Sequence, residues 1–475
     1  MKETFLDLKS DNIRDNKPNK TRFAFTILAI VQATLIFTIA LIIVPLPKIA
    51  SEFALSSANL LLVQVAYGLP FSGLLLFGGR LADRYRGRLM FVIGLIIFGG
   101  ASVIAAFAPN FEMLVSMRFI QGIGAALTAP AALAVLRTLF PDPAAFGKAM
   151  AIWGGVPFLG AIIGFVIPGI LTNWISWRWM FVFPIVVAIV ALTLTRKLLP
   201  IGYDNTSVKQ LGLDPVGAVL VTLGISLASY GLIASGDYPW TSTTVYGPLA
   251  VGIVLLVAFL LVERKVRDPL LPPGFVIEPR RITGLLGIFL AAAGSMLIEY
   301  ILTLYLQQIR GWSSLETAVS FLPFLITMIV ANQVAASLVS RFGVARITTV
   351  GGVIAAIGLG ILASINPNTV YVYSLLPGQI FLAMGISFVL SGAAVLSMTN
   401  VPQHQAGLAG GVLNTAMELG PTVGLTLLMS VAATQTDLVQ GYAWAFGTAG
   451  AVYLVNAVVS SMLLRRRSSE KYQQT

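Results

Sequence analysis

The chain contains no cysteine and one histidine, His404, among 475 residues. The first absence excludes disulfides, thiolate-held metals, iron–sulfur clusters and cysteine nucleophiles; the second excludes imidazole-rich zinc sites. Charge is scarce as well: 10% of the residues are Asp, Glu, Lys or Arg, against roughly 25% in an ordinary soluble domain. Too few polar side chains remain to cover a water-soluble globule of this length. No G-x-x-x-x-G-K-[ST] run occurs, which excludes an ATP-driven pump of the P-loop kind. Nor is there an H-E-x-x-H helix, or a triad around His404, which lies in a loop. No cofactor and no metal is expected.

What is present is apolar. Hydrophobic residues make up 57% of the chain, and the mean hydropathy is +0.88. A membrane span needs about 20 mostly apolar residues to cross about 30 Å of hydrocarbon. Fourteen such runs are found: 24–46, 59–79, 89–108, 113–136, 149–171, 177–195, 215–235, 246–262, 283–307, 317–339, 347–365, 371–398, 406–432 and 442–464. They are continuously apolar rather than alternating, which excludes a β-barrel. The tail before the first run is too long and too mixed in charge to open a signal peptide, so that run reads as a retained helix.

The net charge of +11 is compatible with nucleic acid or with the cytoplasmic loops of a membrane protein. Its distribution decides. Outside the spans or at their very ends, the N-terminal tail, the even-numbered connections and the C-terminus carry 26 Lys and Arg, whereas the odd-numbered connections carry three, Lys48, Arg178 and Arg310. By the positive-inside rule both termini are cytoplasmic, the span number is even, and the protein sits in the cell inner (plasma) membrane, in contact with lipid and not with nucleic acid. Trp174, Trp177 and Trp179, and Tyr238, Trp240 and Tyr246, fall at outer ends of spans and read as an aromatic belt.

The expected fold is an all-α membrane protein of 14 transmembrane helices: two pseudo-symmetric six-helix bundles, 24–195 and 283–464, and two inserted central helices within a linker, 196–282. Tails 1–23 and 465–475 flank them. Polar, proline-containing connections bracket the central pair. An echo links the halves: Leu81-Ala82-Asp83-Arg84-Tyr85 and Leu338-Val339-Ser340-Arg341-Phe342 each follow the second span of their half, 257 residues apart.

These residues resemble a family. Gly79-Arg80-Leu81-Ala82-Asp83-Arg84-Tyr85 resembles the signature between the second and third helices of the major facilitator superfamily. Leu114-Val115-Ser116-Met117-Arg118-Phe119-Ile120-Gln121-Gly122-Ile123-Gly124-Ala125-Ala126 is similar to its fourth-helix signature. With Ser176-Trp177-Arg178-Trp179 and Gly407-Leu408-Ala409-Gly410-Gly411-Val412-Leu413-Asn414-Thr415, the likeness is to the 14-spanner drug:proton antiporters. Three positions depart from the pattern. Arg86-Gly87-Arg88 alters the turn after the first signature, proline after Gly160 and Gly164 is delayed to Pro168, and Thr38 stands where a first-helix acid is common.

Of the formal charges, three lie well inside spans: Arg118, Glu299 and Glu418. Each needs a partner, a water-filled cavity or, for the acids, a proton. Ser295, Thr303 and Gln307 share a face with Glu299 at helical spacing, a polar stripe suited to a wet cavity, where the neutral carboxyl competes with the charged one. Asn414 and Thr422 flank Glu418 in the same way, and the following Gly420-Pro421 loosens the helix. The alternative for each is a structural hydrogen bond. Arg118, with Gln121 one turn on, belongs by resemblance to proton coupling; a fixed interhelical ion pair is the alternative. Gly79, Arg80, Asp83 and Arg84 form, by the same signature, a charged cytoplasmic loop that latches the bundles in one state. Gln32, Thr34, Thr38, Gln64, Tyr67, Gln121, Asn332, Gln333 and Gln379, with Ser295 and Thr303, are the candidate substrate cavity. Gly160 and Gly164, with Pro168, form a small-residue packing face.

The resulting expectation is a secondary active transporter and not an enzyme, a proton-coupled antiporter that exports amphipathic or cationic small molecules by alternating access. The alternatives are a dedicated exporter of one metabolite, such as a siderophore or antibiotic, and, more distantly, a membrane-embedded enzyme or sensor.

Overall fold

The computed structural model describes residues 3–153, 155–199, 212–399, 401 and 406–472. All regular structure among them is helical. Thirteen segments are long and apolar enough to cross a membrane, and a shorter apolar helix, Leu159–Leu171, accompanies them. Within lipid the helix satisfies every backbone donor and acceptor locally, which is why continuously apolar runs take this form.

The first crossing is α1 (Glu3–Ala40). It stops six residues before the end expected from hydropathy, because Pro45 and Pro47 remove backbone donors; after a turn at 41–45 the chain restarts as the short α2 (Leu46–Phe53). The second crossing is α3 (Ser57–Val65) and α4 (Gly68–Arg84), broken at Ala66-Tyr67. The third and fourth are α5 (Gly87–Ala106) and α6 (Phe111–Leu139). The fifth run is divided between α7 (Pro143–Trp153) and α8 (Val156–Leu171), with Pro157 in the first turn of α8. The sixth is α9 (Val182–Leu198).

Next come the central pair, α10 (Pro215–Ala234) and α11 (Thr243–Glu263), and the short α12 (Pro273–Val276). The second set runs α13 (Pro279–Leu304), α14 (Ser314–Ser320) with α15 (Leu322–Phe342), α16 (Val344–Leu362), α17 (Leu376–Met398), α18 (Ala406–Leu419) with α19 (Leu425–Ala432), and α20 (Leu438–Tyr472). A π-helical turn, Gly420–Gly424, joins α18 to α19 at the Gly-Pro step.

The end of the molecule bearing Tyr85 and Arg281 is here the near end, and that bearing Val44 and Gln307 the far end. At the far end one apolar core takes residues from both sets, from Phe37 through Phe165 to Leu302 and Tyr453. There the Phe165 and Phe321 rings lie 5.2 Å apart, and Gln307 Nε2 donates to Val44 O at 3.0 Å. Toward the near end most of the core divides by set, while a small core of Phe275, Ala409 and Val412 still meets Leu76 of α4. One of the divided cores contains only first-set residues such as Phe91, Ala131 and Trp153, and another only second-set residues such as Ala335, Ile347 and Phe388. The inserted α10 packs on α3 and α4 and also on α19, so it touches both sets.

Candidate functional site

Asn110 caps α6 by accepting from Met113 N at 2.9 Å, and small residues then let α6 approach α4. A Cβ on Gly122 would lie 2.1 Å from Tyr67 O. That closeness buries Arg118 completely. Its Nη1 donates to Thr38 O at 2.8 Å, and its guanidinium lies 5.1 Å from the Tyr67 ring centre. Nε and Nη2 have no hydrogen-bond partner among the described residues. Tyr67 donates its hydroxyl to Leu35 O at 3.0 Å. Arg118 is therefore held by a carbonyl and a π face rather than by a carboxylate. Thr38, the residue at the position of the missing acid, turns its own hydroxyl onto Thr34 O, and Thr34 bonds Ile30 O in the same manner.

Glu299 stands at the deep end of an accessible stripe. Leu285, Phe289, Ala292, Ser295 and Glu299 are accessible along one face of α13, whereas every residue from Tyr300 to Leu306 is buried. The Glu299 carboxylate has no hydrogen-bond partner among the described residues. Thr303 donates to the Glu299 carbonyl at 2.7 Å instead. Glu418, also partly accessible, has the same arrangement: Thr422 donates to the Glu418 carbonyl at 3.1 Å. Gly420 sets α13 and α18 close together, since a Cβ there would lie 2.7 Å from Ala292 Cβ. Counting from that contact at 1.5 Å per residue, Glu299 lies roughly 14 Å beyond Glu418 toward the far end. Tyr67 lies in the electrostatic reach of both Arg118 and Glu418. Gln64 links the halves beside this site, its Nε2 3.5 Å from Met296 Sδ and from Ile39 O.

Other candidates lie elsewhere. Gln121 is fully buried and donates to Ser102 Oγ at 2.8 Å, facing α5 rather than a cavity. Gln32 keeps a buried oxygen without a hydrogen-bond partner among the described residues. Gln379 is buried near the far end of α17. Asn332 and Gln333 are exposed on α15. Gly160 and Gly164 meet α1, where added Cβ atoms would lie 2.3 Å from Ala33 O and 2.7 Å from Ala40 Cβ. Pro168 is inside α8, and its carbonyl accepts from Thr172. His404 lies outside the described residues.

The residues expected as a charged loop are helical. Gly79, Arg80, Asp83 and Arg84 form the last turns of α4, because no breaker intervenes before Tyr85, and only Tyr85-Arg86 connect to α5. Asp83 is exposed and feels the charge of Arg137 on α6. Arg84 lies over the Tyr85 ring at 5.8 Å. Arg80 turns away from the α4–α5 connection to the carbonyls of Gly212, Asp268 and Pro269.

The aromatic belt needs one correction. Trp174 and Trp179 are exposed, but Trp177 is buried, because its Nε1 donates to Glu52 Oε2 at 2.7 Å. Arg178 Nη1 meets Glu52 Oε1 at 2.5 Å, and its Nη2 donates to Ala108 O at 3.0 Å. Partial burial pushes the Glu52 carboxyl up, yet the bonds from Trp177 and Arg178 and the Arg178 charge outweigh it and hold the group below its ordinary value. Nothing in the spacing of Glu52 and Arg178 reveals this pair.

Comparison with known proteins follows the same outline. The family model described as Major Facilitator Superfamily matches residues 26–425 and 284–475. The puromycin resistance protein pur8 of Streptomyces alboniger is 36% identical over 445 residues, 90% of this chain and 88% of that protein. The cephamycin export protein CmcT of Amycolatopsis lactamdurans is 30% identical, over 95% and 94% of the two chains. Among solved structures, a POT peptide transporter in complex with sulfate superposes with a TM-score of 0.67 at 14% identity, over 94% of each chain. A bacterial homologue of the lysosomal transporter Spinster, inward-facing and occupied, gives 0.64 at 16% identity, over 94% and 97%. These two likenesses concern the fold.

Proposed function

The chain belongs to the major facilitator superfamily, and from that premise we propose that it is a proton-driven exporter of amphipathic, often cationic, small molecules. The reading rests on one observation above all: two carboxylates without a hydrogen-bond partner among the described residues, Glu299 and Glu418, the first ending an accessible stripe of α13 that is sealed from Tyr300 onward. A partnerless acid in such a place exchanges a proton for a cationic substrate or changes hydration as access alternates. Two six-helix bundles, 24–195 and 283–464, rock about this region, with α10 and α11 between them. Relatives named for resistance to puromycin and lincomycin support a drug-sized cargo. The bias of 26 basic residues against three supports an inner-membrane protein with both termini and the near end in the cytoplasm. The Asp83 end of α4 acts as a latch between states, and Arg118 supplies the fixed positive charge of the first bundle.

A second reading, export of one dedicated metabolite, draws support from the relative named for cephamycin export. Efflux and growth inhibition in an exporter-deficient host, across puromycin, lincomycin, ethidium and a β-lactam, separate the two. In inverted vesicles, substrate-triggered proton release is expected from wild type and lost in Glu299→Gln, which keeps shape and hydrogen bonding but fixes the neutral form. Wild-type coupling in Glu299→Gln moves the proton site elsewhere.

A further inference from the structure

The segment between α11 and α13 is gripped at both ends by buried or half-buried arginines, one from each set of helices. On the α11 side, Glu263 is buried and accepts from Leu270 N at 3.2 Å and Leu271 N at 2.8 Å. Arg80 of α4 donates to Gly212 O at 2.9 Å and to the carbonyls of Asp268 and Pro269. Asp268 Oδ2 accepts from Gly212 N at 3.1 Å, and the charges of Glu263, Asp268 and Asp214 all act on the Arg80 guanidinium. On the α13 side, Arg281 donates to Phe275 O and stacks its guanidinium 3.9 Å from the Phe275 ring centre. Phe275 is buried in a small core with Ala409 and Val412 of α18, against which Leu76 of α4 also packs. Between the two grips run Leu271-Pro272-Pro273-Gly274, and Gly274 has open space around it.

We propose that residues 268–275 form a tether of set length, held by Arg80 to the first set and by Arg281 to the second, which limits how far the near ends of α4 and α18 separate. Each grip is charge-assisted and lies wholly or partly out of water, so the ends stay seated while the middle straightens. From Pro269 to Phe275 there are six residue steps, which reach roughly 20 Å when fully extended. Two adjacent prolines keep that piece stiff, unlike a Gly/Ser linker that coils freely. The inference rests on the alternating-access reading, because a stop has meaning only for ends that part.

The cysteine-free chain permits a direct test. Nitroxide labels at Tyr85→Cys, exposed beyond α4, and Gly410→Cys, on open α18 surface, report near-end separation by pulsed electron resonance on the full-length protein in lipid nanodiscs, at pH 5.5 and pH 8. Inserting Gly-Ser-Gly-Ser after Gly274 leaves both arginines in place and is expected to raise the longest populated distance, by up to about 14 Å for four extended residues. Arg80→Gln, which frees one end, is expected to move it the same way. If the longest distance in the insertion variant coincides with that of the parent at both pH values, the tether is wrong, whatever Arg80→Gln does. Ethidium efflux by the same proteins is scored separately. A parent that does not export while the insertion still extends the reach removes the export reading and leaves the tether standing.

Discussion

The two halves hold their intramembrane charge in opposite ways. In the first, Arg118 is enclosed by Thr38 O and the Tyr67 ring, and its neighbours Tyr67 and Gln121 bond within the same half. In the second, Glu299 and Glu418 have no hydrogen-bond partner among the described residues, and the threonines beside them bond the helix backbone instead. A charge fixed by surrounding dipoles resists change, whereas a partnerless carboxyl gains or loses a proton with little rearrangement. In the proposed transport reading the first half supplies a standing field and the second the groups that respond to it.

The largest test of this contrast compares Glu418→Gln with Glu299→Gln. Glu299→Gln is expected to abolish uphill export in proteoliposomes while downhill exchange persists. If Glu418→Gln alone uncouples and Glu299→Gln does not, the working acid lies beside Tyr67 rather than at the end of the α13 stripe. Next comes Arg118→Lys, which keeps the charge but loses the planar fork that spans a carbonyl and a ring; initial efflux rates should fall by about tenfold. Unaltered efflux there would mean that the field needs only a charge.

Smaller effects probe the rigidity of the first half. Gly160→Leu forces a side chain against Ala33 O and should cost about 1–3 kcal/mol, read as a lower Tm in detergent with the oligomeric profile unchanged. The smallest expected effect is at Glu52, whose pair with Arg178 is partly solvated. Glu52→Gln should cost about 0.2–1 kcal/mol at neutral pH. Because the folded Glu52 carboxyl is held below its ordinary value, its contribution is fully present above the unfolded value and disappears as pH falls through the folded one. Wild type and Glu52→Gln should accordingly converge in Tm only on the acid side of ordinary carboxylate titration. Convergence already at neutral pH would leave the pair without effect on stability.

Much of the helical layout is legible from hydropathy alone. The departures have local causes that a window average smooths over: the proline pair that ends α1 at Ala40, and the break before Pro157 that divides the fifth run. Helical spacing grouped Ser295, Glu299 and Thr303 on one face, yet Ser295 and Glu299 are accessible and Thr303 is buried. Spacing records angle about the axis; whether a neighbouring helix covers that angle depends on the partner. Gln121 illustrates the same point, since one turn from Arg118 it meets Ser102 of α5.

Long apolar runs, a skewed basic count and three intramembrane charges follow from composition and order, because lipid leaves a chain of this kind no alternative to helices and few places to hide a charge. Pairings across hundreds of residues have no such local imprint. That Arg80 holds Pro269, that Arg281 holds Phe275, that Trp177 and Arg178 close on Glu52, and that one end of the molecule shares a single core while the other is mostly divided by set were decided when the helices met. Their contact depends on how side chains of distant segments fill space together, and hydropathy carries no information about that.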